Sequence, residues 1–345
     1  MNKRIFRSDL LLLLTAAVWG FGFVAQRSGM QYVGPFTFNA IRFPLGSLSL
    51  LPLIFLQQKR QAKKNNASGR AAKKALFFSS FLAGSCLFLA VTFQQFGIMA
   101  TTAGNAGFIT GLYVIFTPVF GIFLGRKTGA ATWLGAVLML SGSYFLSTSG
   151  PFGKINLGDI TIAVSAVFWA FHVLIIDRLV QKTDPIALSS GQFAVAGLYA
   201  IAAAFTVEPL LSAWLVNLNP VNFSSGLFFW KSFPALISGL SSGLIPFPEI
   251  SSAIVPILYG GLASVGIGYT LQVVAQRDAP PAHATIILCL EGSFAALGGI
   301  LILGEGTGTR TIIGFALALA GMLASQIEII RGSRKKDERN SPAFQ

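Results

Sequence analysis

Two ionisable residues lie inside long apolar segments and are the first candidates for chemistry. Arg42 lies about seven residues into the segment 34–56, and Glu291 lies about nine residues into the segment 282–303. A charge within an apolar segment is costly unless it has a partner, and such residues often mark substrate or proton pathways. Arg42 is therefore a candidate ligand for a substrate anion or a gating partner, and Glu291 is a candidate proton carrier.

Both residues also have a structural interpretation. Arg42 shares a predicted helical face with Asn39 and Ser49, and its partners could be backbone carbonyl groups or an interface phosphate. Glu291 could be a hydrogen-bonded structural acid near a helix break. The sequence leaves both pairs of alternatives open.

Amide, hydroxyl and aromatic side chains in the other apolar segments could bind a polar molecule without adding a charge. The alternative role for the amides and hydroxyls is hydrogen bonding between helices, which contributes about 0.6 kcal/mol per bond. The tryptophans could stack on a substrate or pack between helices. The histidine could relay protons or be a neutral hydrogen-bonded residue. With Arg42 and Glu291, these residues form the predicted site: Trp19, Asn39, Gln94, Gln95, Asn105, Tyr113, Trp169, His172, Tyr269 and Gln272.

The composition indicates which elements must position these side chains. Of the 345 residues, 53% are hydrophobic and 11% are charged, yet the net charge is +13. Soluble proteins carry about 25% charged residues, so an ordinary cytosolic enzyme, a disulfide scaffold and a disordered chain are excluded. The 31 phenylalanines argue against a soluble nucleic-acid-binding protein. We expect a membrane protein with many spans.

Ten segments are long and apolar enough, or nearly so, to cross about 30 Å of hydrocarbon. If both termini lie in the cytoplasm, the loops on that side hold 20 of the 25 basic residues, and the other side holds four. This bias follows the positive-inside rule and predicts an even number of spans. The predicted spans, numbered one to ten, are 10–26, 34–56, 75–99, 103–125, 130–148, 159–176, 185–207, 251–275, 282–303 and 310–330.

The connection 208–249 contains a further apolar run, interrupted by a lysine, two prolines and two glycines. As an eleventh span it would place the basic tail 331–345 outside, against the charge bias. We interpret it as an outer loop with a short helix on the membrane surface.

His283, at the start of span nine, is expected at the cytoplasmic membrane interface.

The chain also repeats itself. Asp9, Trp19 and Phe21 match Asp159, Trp169 and Phe171 at an offset of 150 residues. Near the end of each half the offset becomes 179, where Gly135 and Gly142 match Gly314 and Gly321. Each half, 9–148 and 159–330, would hold five spans. Five is an odd number, so the second half enters the membrane from the opposite side. The predicted fold is an all-α membrane protein whose ten transmembrane helices form two inverted five-helix repeats, an arrangement typical of alternating-access transporters.

The duplicated motifs resemble those of the drug/metabolite transporter superfamily, and within it the ten-helix EamA-type proteins. The resemblance covers about 9–330, and Gly292 stands where the family usually has proline. It implies a ten-helix carrier with a central cavity, moving small metabolites, amino acids, nucleotide sugars or drugs, mostly outward. The matching motifs are Ala17-Val18-Trp19-Gly20-Phe21 with its echo at Trp169, Arg42-Phe43, Gly104-Asn105-Ala106 through Thr117-Pro118, and Leu290-Glu291-Gly292 with Leu303-Gly304-Glu305.

No catalytic or nucleotide-binding motif accompanies these residues, so neither enzyme activity nor ATP-driven transport by this chain alone is expected. No cofactor or metal is expected either. The predicted partners are a small-molecule substrate and membrane lipid but not nucleic acid, and a homodimer is a further hypothesis. We expect the cell inner or plasma membrane as the location. A membrane-embedded enzyme or a non-transporting sensor of metabolite or lipid is the alternative function.

Overall fold

The computed structural model describes residues 3–62, 70–100, 103–146, 157–218, 247–303 and 308–339. In these ranges all regular structure is helical, and the all-α prediction is confirmed. Nine helical segments are long and apolar enough to cross a membrane, and the shorter apolar helix Ala130–Leu146 takes the place of predicted span five. The central part of the connection, residues 219–246, lies outside the described residues, so the prediction of a surface loop there stays a prediction.

Six spans consist of one helix, and these are spans one, three, five, six, seven and ten. The other four are assembled from two or three helical segments, as expected where proline, glycine or polar groups interrupt an apolar run. The helices in chain order are Lys3–Gly29, Pro35–Ser49, Leu51–Ala62, Arg70–Ala100, Ala103–Thr110, Tyr113–Phe123, Ala130–Leu146, Leu157–Leu179, Pro185–Leu218, Phe247–Leu258, Tyr259–Tyr269, Thr270–Ala275, Pro281–Leu288, Glu291–Leu303 and Thr309–Arg339.

Spans four and nine are both interrupted near the middle. The break in span four is at Gly111–Leu112, and the break in span nine is at Cys289–Leu290. The sequence offset of 179 carries Gly111 onto Leu290, so the two interruptions occur at matching positions of the halves. Irregular backbone at membrane depth is tolerated where it is buried in protein or lines a cavity. The break in span nine forms with Gly292, and not proline, after Leu290 and Glu291.

Span eight contains an eleven-residue π-helical stretch, Tyr259–Tyr269. π-Helical turns are rare and occur often at functional sites. The side chains of span one bond to carbonyl groups of this stretch. Trp19 Nε1 donates to the carbonyl oxygen of Ser264 (3.3 Å), and Thr15 Oγ1 donates to that of Gly268 (3.2 Å). Span one thus fixes the irregular backbone of span eight.

The helices of the two halves pack in a reciprocal way. Span two packs on span seven, and span five packs on span ten. Span one contacts spans eight and nine, and span six contacts spans three and four in the corresponding manner. This exchange of neighbours is what the predicted internal repeat would produce.

Glycine allows spans five and ten to approach at backbone distance. Gly135 lies against the carbonyl oxygen of Gly321, and Gly142 lies against that of Gly314. These are the four glycines that the sequence offset pairs, now meeting in antiparallel order. Small residues permit this kind of close packing between membrane helices.

Glu208 joins the end of span seven to the beginning of span two. Its carboxylate accepts hydrogen bonds from the backbone N–H and the hydroxyl of Thr37, at 2.8 and 2.5 Å, and the side chain is fully buried. The acceptor thus stands at the start of the helix Pro35–Ser49, where an anion is favoured by unpaired N–H groups.

Replacing Gly142 with alanine should destabilise the contact between spans five and ten. The new Cβ would lie 2.6 Å from the backbone nitrogen of Ala318, so the helices must separate, at a cost of about 1–3 kcal/mol. The thermal unfolding midpoint of the purified protein measures the effect. Gly308→Ala is the control, because nothing lies within 4 Å of its added Cβ. Equal unfolding midpoints for Gly142→Ala and Gly308→Ala would contradict close packing between spans five and ten.

Candidate functional site

A small cavity lies in the middle of the bundle, between the two halves. Its side chains come from spans one, three, four, six, eight and nine. The space open to the centres of water molecules is about 30 Å³, which is room for roughly two or three waters. The lining residues are Trp19, Phe23, Gln26, Gln94, Thr110, Tyr113, Trp169, Val173, Ser264, Tyr269, Gln272, Leu288 and Glu291.

Three aromatic rings form one wall of this cavity. Tyr269 lies between the two tryptophans that the sequence repeat pairs, with its ring centre 4.5 Å from that of Trp19 and 5.9 Å from that of Trp169. The Trp19 and Trp169 rings are themselves 6.2 Å apart. Aromatic rings at these distances attract one another and also offer faces on which a flat or cationic ligand can stack. We call these three residues the aromatic wall.

Several polar atoms of the cavity have no hydrogen-bond partner among the described residues. Buried polar groups are nearly always paired, so each such atom calls for a water or a ligand. The atoms belong to four lining side chains: Gln26 Oε1, Tyr113 Oη, Trp169 Nε1 and Gln272 Oε1.

Glu291 is the one acidic residue that lines the cavity in the described part of the chain. It begins the helix Glu291–Leu303, directly after the break in span nine, and its side chain is 5% exposed. Within the described ranges its carboxylate takes part in no hydrogen bond and no salt bridge. An ionised carboxylate in such a place is unfavourable unless a cation or a proton compensates it, apart from the modest attraction of the helix N-terminus.

Arg42 lies outside the cavity lining and is 1% exposed. Its Nε donates to Asn39 Oδ1 (2.8 Å), and Asn39 Nδ2 donates to Gln95 Oε1 (2.5 Å). The guanidinium also lies over the rings of Phe38 and Phe43, at 5.3 and 5.0 Å. Its charge is thus supported by an amide and two ring faces, and no carboxylate in the described ranges pairs with it.

The predicted site residues therefore fall into three groups. Seven line the cavity. A hydrogen-bonded chain of three polar side chains, Arg42, Asn39 and Gln95, adjoins it. Ser49, which was expected on the same helical face as Arg42, bonds to Gly46 instead. His172 is fully buried behind the aromatic wall, with Nε2 2.9 Å from Gln192 Oε1. The side chain of Asn105 is outside the described part of the structure. The seven are Trp19, Gln94, Tyr113, Trp169, Tyr269, Gln272 and Glu291.

Sequence reasoning missed Gln26 and Ser264 as lining residues. Gln26 is the last residue of predicted span one, beside Arg27. Ser264 lies within the π-helical stretch, which has no distinctive sequence pattern. Thr110 also lines the cavity and accepts a hydrogen bond from Gln94 Nε2 at 3.2 Å.

His283 is buried within the protein near the start of span nine. It is 2% exposed, with Nε2 2.8 Å from Asp9 Oδ1 and Nδ1 3.1 Å from Ser325 Oγ. Gln326 Nε2 donates to the second oxygen of Asp9 (3.0 Å). This cluster ties span one to spans nine and ten at the end of the bundle that carries the basic loops, and its hydrogen bonds compensate the burial of the imidazole.

The fold and the central cavity define a multi-pass membrane protein of the transporter type, and sequence comparison agrees with this class. The EamA-like transporter family matches residues 6–148 and 209–325, and the chain belongs to this family.

Individual relatives point the same way. An "Uncharacterized transporter" of Archaeoglobus fulgidus is 27% identical, over 88% of this chain and 80% of its own length. The "Uncharacterized transporter YoaV" of Bacillus subtilis is 22% identical, over 93% of this chain and 97% of its own. A crystal structure with 15% sequence identity covers 94% of this chain and 98% of that chain, with a TM-score of 0.66, which shows a similar fold.

Replacing Asp9 with asparagine should lower stability. The substitution removes the charge-assisted hydrogen bonds to His283 and Gln326, which are worth about 1.5–3 kcal/mol each. Thermal unfolding in detergent measures the loss, and Asp278→Asn, an exposed acid at the same end of the bundle, is the control. An Asp9→Asn midpoint equal to that of the control would mean that the cluster contributes nothing to stability.

Proposed function

We propose that the protein is a secondary carrier that exports a small organic metabolite, such as an amino acid, a nucleotide sugar or a drug-like molecule, by alternating access. The observation that best supports this proposal is the central cavity. Both halves contribute residues to its aromatic wall and to its unpaired polar atoms. Membership of the EamA-like family and the names of the relatives support transport. The proposed location is the cell inner or plasma membrane, with both termini in the cytoplasm as the distribution of basic residues favours.

The size of the cavity supports a mechanism with more than one conformation. About 30 Å³ is far below the roughly 300–1,000 Å³ of pockets that hold small ligands. A substrate therefore needs the halves to move apart at the aromatic wall. The broken spans four and nine and the π-helical stretch of span eight border the cavity and supply backbone that can change without breaking a regular helix.

We assign the substrate-binding role to the six lining residues other than Glu291 and to the chain of Arg42, Asn39 and Gln95 beside them, and the proton-carrier role to Glu291. His172 supports the aromatic wall from behind, with its ring centre 5.8 Å from that of Trp169. Asn105 keeps its proposed role from the sequence resemblance. The proposed partners are the substrate and membrane lipid, with a homodimer as a further hypothesis and nucleic acid excluded on composition.

The membrane enzyme and the non-transporting sensor are the competing functions. An enzyme is expected to gather acids or histidines at one membrane face. Here the polar candidates converge on one mid-bundle cavity from six spans, and that convergence favours a carrier over an enzyme. A sensor that does not transport would bind the ligand without moving it, so uptake into vesicles distinguishes it from a carrier.

Tyr269→Phe should weaken substrate binding without changing the fold. The hydroxyl of Tyr269 forms no hydrogen bond with the described residues, so its removal breaks no internal bond. We expect a panel of amino acids, nucleotide sugars and drug-like compounds to include one that raises the unfolding midpoint of the wild-type protein. The shift should fall in Tyr269→Phe.

Tyr199→Phe is the matched control for this experiment. Tyr199 packs on Phe81 and Phe88, away from the cavity, so its variant should keep the full ligand-induced shift. A ligand that stabilises both tyrosine variants equally would bind elsewhere, and the cavity would lose its assigned role.

Glu291→Gln should abolish the dependence of transport on a pH gradient if Glu291 carries the coupled proton. The amide has the shape of the acid but cannot release a proton. Proteoliposomes with an imposed pH gradient measure uptake of the compound found in the stability screen. Glu208→Gln is the control, because Glu208 is equally buried but is bonded to Thr37 away from the cavity. Unchanged gradient dependence in Glu291→Gln would exclude the proton-carrier role.

A further inference from the structure

A second and larger cavity opens at the end of the bundle that carries the basic loops. It lies between the start of span one, the start of span seven and the end of span eight, and its volume is about 390 Å³. That volume lies within the roughly 300–1,000 Å³ range of small-ligand pockets. The cavity is separate from the central one, and the two have no lining residue in common.

The lining of this cavity is strongly basic. Among the described residues, the lining contains three arginines, Arg4, Arg7 and Arg277, and one acid, Asp278. Ser8 adds a hydroxyl group. The lining therefore carries a net charge of about +2, which attracts an anion.

Two neighbouring acids, Asp9 and Asp184, are engaged with other groups and do not pair with Arg7 or Arg277. Asp9 is bonded to His283 and Gln326. Asp184 accepts hydrogen bonds from the backbone N–H groups of Ile186 and Ala187, at 3.0 and 2.9 Å, and so caps span seven. Within the described ranges no ion pair involves Arg7 or Arg277, which leaves their donors available to a ligand.

The inner wall of the cavity is apolar. Leu11 of span one and Val274 of span eight lie on the membrane side of the arginines in their own helices. A site with guanidinium groups toward the water and aliphatic side chains toward the membrane suits a phosphate group attached to an apolar body. Basic pockets between membrane helices are known to hold lipid head groups in this way.

We propose that this cavity binds a phosphate group, presented by an anionic phospholipid, with Arg7 and Arg277 as its principal ligands. Arginine donates paired N–H groups that match phosphate oxygens. Because Arg7 belongs to span one and Arg277 follows span eight, a phosphate bound by both arginines joins the first half of the chain to the second. The same ligand chemistry could come from free phosphate, and the experiment separates the two sources.

The test uses the purified full chain in detergent micelles. The unfolding midpoint is measured with added phosphatidylglycerol, with phosphatidylcholine of the same acyl chains, and with inorganic phosphate at constant ionic strength. We expect phosphatidylglycerol to stabilise the protein and phosphatidylcholine to have no comparable effect. Stabilisation by inorganic phosphate alone would assign the site to a free anion, and so overturn the lipid assignment.

Variants then assign the effect to this cavity. Arg277→Gln and Arg7→Gln should each weaken the apparent affinity for phosphatidylglycerol about fivefold, and the double variant about 25-fold. Lys182→Gln removes an exposed positive charge at the same end that does not line the cavity, and it should leave the affinity unchanged.

Asp278→Asn provides an effect of opposite sign, which a variant that merely folds poorly would not show. Removing the only acid in the lining should tighten binding several-fold. The proposal is overturned if Lys182→Gln and Arg277→Gln weaken binding equally, if Asp278→Asn does not tighten it, or if phosphatidylcholine stabilises as well as phosphatidylglycerol. These results are independent of transport through the central cavity.

Discussion

The hydrocarbon core offers no partner to a polar group, and this constraint governs the structure of the protein. Every backbone and side-chain polar atom within the membrane must be satisfied by the protein, by water or by a bound molecule. Arg42 is accordingly supported by Asn39 and two phenylalanine rings, and Glu208 by Thr37. Of the twelve buried side-chain polar atoms that have no partner among the described residues, four belong to side chains that line the central cavity, where a ligand or water can reach them.

The same constraint explains where the helices are irregular. The breaks at Gly111–Leu112 and Cys289–Leu290 and the π-helical stretch Tyr259–Tyr269 all adjoin the cavity or its lining residues. Elsewhere, the close glycine contacts of spans five and ten keep the bundle compact. The protein thus combines close packing between spans five and ten with irregular backbone around the central cavity. This arrangement suits a carrier whose halves move around a fixed site.

Much of this architecture follows from the sequence, because membrane spans have a strong signature in length and apolarity. Length and apolarity predicted the spans, and the repeat made Trp19 and Trp169 equivalent candidates for the site, but it did not predict that their rings lie close together. The side-chain directions were harder to predict. Helices that are apolar on all sides give little indication of which face is buried. In span eight the π-helical hydrogen bonding also shifts the faces, which is why Ser264 was missed. The partners of His283, Asp9 and Ser325, could not be predicted because they are far away in the sequence.

The two halves have matching sequence positions, but the charges at these positions differ. At the offset of 150 residues that aligns Trp19 with Trp169, Arg42 aligns with Gln192, a neutral amide that contacts His172. A carrier built from two equivalent halves would have an inward-facing and an outward-facing form of equal energy. Because Arg42 in the first half corresponds to the neutral Gln192 in the second, the electrostatic environment of the cavity would differ between the two forms of the proposed carrier. The empty carrier would therefore populate the two forms unequally. An anionic and a cationic solute of the same size would also face different free-energy barriers to transport.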